Sequence, residues 1–396
     1  MPGKHAGSAA EVGAAFLRLG LSSFGGPIAH LGYFRREFVE RRRWVNEERF
    51  GQLLGLCQFL PGPASSQLGF SLGLLRAGWP GAIAAFVAFT LPSALLMFAM
   101  AESSNFLAGP WGQSIVHGLK LVAVAVVAQG VLGMARTLTP DAPRALLAAA
   151  AAGLLVISGS AWMQLVAIVG GAALGPWLCR TTVARQGDAF RLRYGRRTGG
   201  VLLGMFAALL MAAILIAPRT PLLAQAAGAF YRTGALVFGG GHVVLPLLKQ
   251  AVVAPGWVDN DTFLAGYGAA QAVPGPMFSI SAFLGARLNG GQGGAPGALV
   301  SVLAIFLPGF LILGGVLPFW QSLSARDDTA RMLAGVNAVV VGLLAAALYD
   351  PVWISAVHDS KDFSIALIGF AFLIGARWPS WAVVLWCVLA SMLRVI

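Results

Sequence analysis

Charge is what this 396-residue chain has least of: 11% of its residues are Asp, Glu, Lys or Arg, against 58% hydrophobic ones. A soluble domain carries about 25% charged residues, because its surface must be covered with polar groups. A soluble globular fold is therefore excluded at the outset. Acid is the scarcer sign, with 15 Asp+Glu against 27 Lys+Arg and a formal net charge of +12. In a soluble protein that balance would suggest nucleic acid. Here the aliphatic content leaves no room for a basic soluble domain, so no nucleic-acid partner is expected. Lysine is rare as well: Lys4, Lys120, Lys249 and Lys361 are the only ones, and every other basic residue is arginine. Arginine stays charged in an apolar interior and forks well onto oxyanions; a GC-rich genome gives the same bias. The three cysteines, Cys57, Cys179 and Cys387, are far apart and have no metal-ligand spacing, which reads as inert buried thiols. There is no Walker loop, HExxH or GxSxG, so neither built-in ATPase drive nor hydrolysis is expected. No flavin, haem or metal motif supports a membrane reductase, and no cofactor is expected. Met1–Glu11 lacks the pattern of a signal peptide.

What is present are uncharged runs long enough for spanning helices, each needing roughly 20 apolar residues. They lie at 77–101, 112–135 (interrupted by Lys120), 145–178, 198–217, 263–286, 288–325, 332–349, 363–376 and 379–393. The 145–178 run exceeds one crossing and divides at Ser158-Gly159-Ser160. Segments 12–34 and 50–75 are apolar but broken, at Gly25-Gly26-Pro27 and at Pro61-Gly62-Pro63. Arginines cluster at Arg35–Arg49 and again at Arg180–Arg197, and both clusters should face the cytoplasm. An even number of crossings must then separate them. Helices near 79–101, 112–135, 144–158 and 162–178 supply these, which leaves 50–75 to enter and return on one side; 12–34 is a second such hairpin.

The chain also repeats itself. Phe16-x-Arg18-x-Gly20 through Phe24-Gly25-Gly26 matches Phe230-x-Arg232-x-Gly234 through Phe238-Gly239-Gly240. Trp44-Val45, Phe50, Gln58 and Pro61-Gly62-Pro63 match Trp257-Val258, Phe263, Gln271 and Pro274-Gly275-Pro276. Leu91-Pro92 matches Leu307-Pro308. The offset stays between 213 and 216 throughout. The arginine-rich loop 35–49 corresponds to 249–262, which has one lysine against Asp259 and Asp261. The helix near 199–217 stands between the copies. The expected architecture is thus an all-α polytopic membrane protein of two inverted repeats. Each repeat has broken or re-entrant helices plus about four spanning ones. The units are residues 1–180, a linker with an extra transmembrane helix at 181–220, and residues 221–396. A parallel duplication is the alternative, and Arg287 is the one cation that fits the inversion poorly.

Several residues offer chemistry. A helix that restarts after a break points unpaired N–H groups and its positive dipole end at the break, which suits an anion. The breaks are Gly25-Gly26-Pro27, Pro61-Gly62-Pro63, Gly239-Gly240-Gly241 and Pro274-Gly275-Pro276. Ser22, Ser23, Ser65, Ser66, Ser279 and Ser281 add hydroxyl donors. Plain packing kinks are the bland alternative. Gln58 and Gln271 precede the Pro-Gly-Pro breaks at equal distance, either to bind a ligand or to satisfy freed carbonyls. Arg18 and Arg232 sit at equivalent places in apolar stretches, facing a cavity or snorkelling to the interface. His30 and His242 do not align and read as structural or interfacial. Within the apolar runs there is no carboxylate, which disfavours a cation path.

The set Phe16-x-Arg18-x-Gly20-x-x-x-Phe24-Gly25-Gly26-Pro27, Trp44-Val45, Phe50 and Gln58-x-x-Pro61-Gly62-Pro63 resembles the signature of the chromate ion transporter family in its long, two-domain form. The stretch Phe230–Pro276 resembles that family's second domain. The resemblance implies a multi-pass protein of the bacterial inner membrane that exports chromate, with sulfate as a chemically similar cargo. It implies drive by membrane potential or proton gradient. The motif positions it carries over are Arg18, Gly25, Gly26, Pro27, Gln58, Pro61, Gly62 and Pro63. One departure is Gly241, where the first copy has Pro27. A sulfate or oxyanion importer and a passive anion channel are the rival readings. The expected partners are the oxyanion, the lipid bilayer and, as an open question, a second copy of the chain.

Overall fold

In the computed structural model, which describes residues 7–23, 26–103, 110–158, 161–182, 190, 192–216, 220–237, 244–320, 326–376 and 378–393, no strand occurs among these residues. The first copy runs through α1 (Ala9–Ser22), α2 (Gly26–Arg35), α3 (Glu47–Phe59), α4 (Ala64–Glu102), α5 (Pro110–Leu138), α6 (Ala142–Ser158) and α7 (Ala161–Leu178). A lone α8 (Arg196–Leu215) follows. The second copy has α9 (Leu222–Leu236), α10 (Val244–Leu248), α11 (Asn260–Ala270), α12 (Ile280–Gly291), α13 (Gly294–Val316), α14 (Asp327–Ala347), α15 (Ser360–Ile374) and α16 (Ser380–Met392).

The copies agree in local detail. Both α2 and α10 run on into a π-helical turn, Arg36–Arg41 and Lys249–Val253. Both α3 and α11 begin on a side-chain cap: Arg49 N–H donates to Asn46 Oδ1 (3.0 Å) and Thr262 N–H to Asp259 Oδ1 (2.8 Å). Helix α3 stops ahead of Pro61, which has no N–H to continue it. Helix α4 is two limbs joined at Ala77-Gly78, where Gly78 has φ 69°. The limbs fold back so tightly that a Cβ on Gly73 would lie 2.4 Å from Gly81 O. In the second copy α12 unwinds at Leu288–Gly290, and a Cβ on Gly285 would lie 2.3 Å from Gly297 O.

Five helical stretches among the described residues are long and apolar enough to cross a membrane: Ala64–Glu102, Gly112–Leu138, Arg196–Leu215, Gly294–Phe319 and Asp327–Ala356. Helix α3 and the first limb of α4, at 1.5 Å per residue, are each only about 20 Å long, short of the roughly 30 Å hydrocarbon core. The long apolar run at 145–178 is divided as expected, α6 ending at Ser158 and α7 starting at Ala161.

The helices interlock across the copies. Helix α1 packs on α4, and its counterpart α9 packs on α13. Helix α5 packs on α15 and α16 of the second copy, while α14 packs on α6 and α7 of the first. Aromatic rings fill the core beside α1: Phe16 stacks on Phe38 at 4.8 Å and meets Phe34 and Phe89 edge-on. A second set, Phe70, Phe86, Phe306 and Phe310, joins α4 to α13, with Phe70 and Phe310 stacked at 4.5 Å.

Candidate functional site

The chain between α3 and α4 turns through Pro61-Gly62-Pro63, and Gly62 adopts φ 125°, a region closed to residues with a Cβ. Its N–H therefore points away from its own copy and donates to Val237 O at 2.6 Å. Val237 is the residue that ends α9, just ahead of the second copy's glycine run. The second copy returns the contact. Gly275, with φ 102°, donates its N–H to Ser23 O at 3.0 Å. Ser23 ends α1. The offsets, 214 for Val237 against Ser23 and 213 for Gly275 against Gly62, are those of the sequence repeat. A contact in which i meets j and the equivalent j meets i is the mark of two-fold relation.

The prolines inside α4 and α13 join the same place. Gly309 follows Pro308 and lies so close to Gly62 that a Cβ there would be 2.9 Å from Gly309 Cα. Ser93 follows Pro92, and a Cβ on Gly275 would be 2.9 Å from Ser93 Oγ. Each Pro-Gly-Pro break thus docks on the end of the other copy's first helix and on its proline-bearing long helix, and these contacts make the junction between the copies. Two buried helix starts open at it. Helix α4 begins on Pro63 and the short 3₁₀ turn Met277–Ser279 on Pro276, neither with a side-chain cap. Their first-turn N–H groups keep the partial positive charge of a helix N-terminus.

Around this junction lie buried polar atoms without a partner among the described residues: Ser23 Oγ, Ser66 Oγ, Thr90 Oγ1, His30 Nδ1 and Gln67 Oε1. Ser23, His30 and Gln67 have no exposed surface, and Ser66 and Thr90 are 3% exposed. Each lost hydrogen bond of this kind costs about 1–3 kcal/mol, so such a cluster is far from the usual satisfied interior. The other halves of these groups hold the junction together. Gln67 Nε2 donates to Pro61 O (2.8 Å) and Gly309 O (3.0 Å), tying both copies. His30 Nε2 donates to Ser23 O at 3.2 Å while its ring packs edge-on against Phe89. Ser93 Oγ donates to Thr90 O at 2.9 Å. No carboxylate enters this set. The buried acids among the described residues are Glu37, held by Arg41 and Arg42, and Asp362, bonded to His117. The junction therefore offers hydroxyl and N–H donors beside two acceptor atoms, Gln67 Oε1 and His30 Nδ1, and no fixed negative charge.

Most residues singled out from sequence fall here, and some fall elsewhere. Pro61, Gly62, Pro63, Ser65, Ser66, Pro274, Gly275, Pro276 and Ser279 are at the junction or in its first helical turns. Gly26 and Pro27 open α2. Gly25, Gly239, Gly240, Gly241 and His242 lie outside the described residues. Ser22 is exposed and donates to Arg18 O at 2.8 Å, and Ser281 Oγ donates to Phe278 O at 2.7 Å. The matched glutamines part company: Gln58 is exposed on α3, whereas Gln271 is buried with Nε2 2.9 Å from Met277 Sδ. The matched arginines do so too. Arg18 is exposed on α1, while Arg232 is half-buried and donates to Ala213 O in the last turn of α8. Arg232 thus turns to α8, and equal positions in the repeat do not bring equal surroundings. His30 proves structural and central rather than interfacial.

Gln67, Thr90, Ser93 and Gly309 escaped the sequence reading. For the last three a signal exists, because they flank the aligned prolines Pro92 and Pro308. Gln67 has none, since Ile280 stands at its place in the second copy. Asp362, an acid at the start of α15, is 1% exposed.

Comparison with known proteins also finds two copies in the chain. The family model described as "Chromate transporter" matches the chain twice, at residues 10–176 and 224–392. The chain is 28% identical to a probable chromate transport protein of Synechococcus elongatus, over 92% of this chain and 90% of that protein. It is 29% identical to a chromate transport protein of Pseudomonas aeruginosa and 29% identical to one of Cupriavidus metallidurans, covering 91% of this chain and 86% of the relative in both cases. No solved structure matches the chain.

Proposed function

The chain belongs to the chromate transporter family, a multi-pass membrane protein by its apolar helices, and on that premise we propose that it exports chromate from the cytoplasm as a secondary transporter. The observation that carries the site is the reciprocal exchange between the Pro-Gly-Pro breaks and the ends of α1 and α9, with unpartnered hydroxyls beside it. Chromate is a tetrahedral dianion. Ser23, Ser66 and Thr90 donate to its oxygens, together with the first-turn N–H groups after Pro63 and Pro276. Ser65 and the start of α2 at Gly26-Pro27 complete the approach. Gln67 holds the turn, and Arg18, Arg232, Gln58 and Gln271 act on the anion from further away through field and packing.

In this reading the copies, residues 1–180 and 221–396, are inverted in the bilayer. The arginine-rich 35–49 segment faces the cytoplasm and 249–262 the outside, with α8 making the extra crossing. The short α1–α2 and α3–α4 hairpins then reach the midplane from one side, and their counterparts from the other. A negative-inside potential favours outward movement of a dianion by about 4.6 kcal/mol per 100 mV, twice the value for a single charge, without any acid relay.

The test uses inside-out vesicles containing the full chain. A potential positive inside the vesicle should drive chromate uptake. Each of Ser23→Ala and Ser66→Ala should raise the half-saturating chromate concentration by about 10–150-fold, the worth of a hydrogen bond to a charged group. Unchanged saturation in both variants would move the site elsewhere. Labelled sulfate uptake into right-side-out vesicles would instead make the protein an oxyanion importer, and conductance far above carrier turnover would make it a channel.

A further inference from the structure

A second cluster of chemistry lies away from the junction, where α5 of the first copy meets α15 of the second. Asp362 sits in the first turn of α15 with its carboxylate 2% exposed. His117 Nε2, from α5, lies 2.7 Å from Asp362 Oδ1. His358, just before α15, donates its backbone N–H to Asp362 Oδ2 at 3.0 Å, and its ring Nδ1 lies 3.7 Å from the same oxygen. The two imidazoles face each other, 5.9 Å between centroids and 28° between planes. One donor atom from each of the three side chains falls within 4.8 Å of the others. The His358 side chain is 61% exposed, so the cluster opens to solution on one side.

A plain imidazole–carboxylate hydrogen bond accounts for His117 and Asp362 but not for the second imidazole aimed at the same carboxylate. Nor does the shared scaffold require the cluster. Continuing the repeat past the aligned prolines pairs Gly118 with Gly335 and Asp141 with Asp359, at offsets of 217 and 218, so that Ala334 stands for His117, Arg144 for Asp362 and Pro140 for His358. The cluster draws on both copies, His117 from the first and His358 and Asp362 from the second, and so joins them to each other.

We propose that His117, His358 and Asp362 form a binding site for a divalent transition-metal cation of the zinc type. Two imidazole nitrogens and a carboxylate oxygen, with a fourth position left to water, is the donor set of an open tetrahedral site. Donors on metal bonds of 2.0–2.1 Å lie about 3.3 Å apart in a tetrahedron. The 2.7 Å separation of His117 Nε2 from Oδ1 and the 3.7 Å separation of His358 Nδ1 from Oδ2 lie on either side of that value, and rotation of the exposed His358 side chain brings its nitrogen to the metal. The cation takes the place of the proton between His117 and Asp362. It balances the buried carboxylate and clamps α5 against α15, so that occupancy stiffens the contact between the copies. Its place in the fold is independent of the anion site.

The test uses the full-length, untagged protein in detergent, stripped with chelator and then titrated with zinc chloride. One zinc per chain should bind and raise the thermal unfolding midpoint, and magnesium at the same concentration should do neither. His358→Ala, at an exposed position that leaves the fold intact, and His117→Ala should each weaken zinc binding at least about tenfold, as loss of a ligand requires. Substoichiometric zinc in the wild type would overturn the proposal, as would unchanged zinc affinity in His358→Ala.

Discussion

Replacing Gly62 by alanine tests the junction at its narrowest point. The backbone there has φ 125°, and holding a residue with a Cβ in such a region costs about 1–3 kcal/mol. The added methyl also lies 2.9 Å from Gly309 Cα, a backbone atom that cannot swing aside. Overpacking of that kind costs a further 1–3 kcal/mol or so. The loss for Gly62→Ala is then about 2–6 kcal/mol, and its lower end already lowers the folded-to-unfolded ratio roughly thirtyfold. Gly275→Ala meets the same kind of backbone strain at φ 102°, but its nearest neighbour is the Ser93 hydroxyl, which can rotate. It should lose less. Gly256→Ala isolates the strain, because φ is 77° there and nothing lies within 4 Å; it should lose only about 1–2 kcal/mol and keep full transport. The assay is the unfolding equilibrium in detergent, with chromate uptake into vesicles measured in parallel. The expected order of loss is Gly62, then Gly275, then Gly256. A Gly62→Ala protein as stable and as active as the wild type would refute the close contact between the copies.

Arg232→Ala should cost about 1–3 kcal/mol by stripping the partner from Ala213 O in the last turn of α8, while the half-saturating chromate concentration moves little; Arg18→Ala should barely alter stability. Abolished transport in an intact Arg232→Ala protein would bring that guanidinium back to the anion. Asp141 is held down to about 2 by side-chain hydrogen bonds from Arg144, with the Arg144 backbone N–H and the Thr181 hydroxyl adding to it. A carboxyl lowered in this way adds stability above its ordinary range near pH 3.9, and the contribution fades as pH falls through about 2. Asp141→Asn should therefore lower the unfolding midpoint at neutral pH and flatten its dependence on pH between about 4 and 2; a parallel pH profile in wild type and variant would contradict the assignment.

The helices could be read in advance because apolar runs and prolines act locally. The division of 145–178 at Ser158–Ser160 and the stop of α3 before Pro61 follow from chain chemistry alone. So does the recurrence of Gly62 as Gly275, since only glycine takes that backbone. Side-chain surroundings were less legible. Gln58 and Gln271 match in sequence, yet one is exposed and the other buried, because the elements facing α3 and α11 differ. Arg18 and Arg232 diverge for the same reason: α8 has no counterpart, and its last turn gives Arg232 a carbonyl that Arg18 lacks. Gln67 was invisible because its role depends on Gly309, 242 residues away.

By itself the sequence determined that this is a membrane protein of duplicated broken helices with little interior acid. Hydropathy, proline and glycine are properties each segment carries wherever it sits. Only the tertiary structure decided that each Pro-Gly-Pro break docks on the other copy, with Gly62 and Gly275 donating to Val237 O and Ser23 O, and that Asp362 is buried beside two histidines. Those facts depend on which backbone groups face one another across the copies. That is set by the packing of α4 on α13 and of α5 on α15, and no local pattern encodes it.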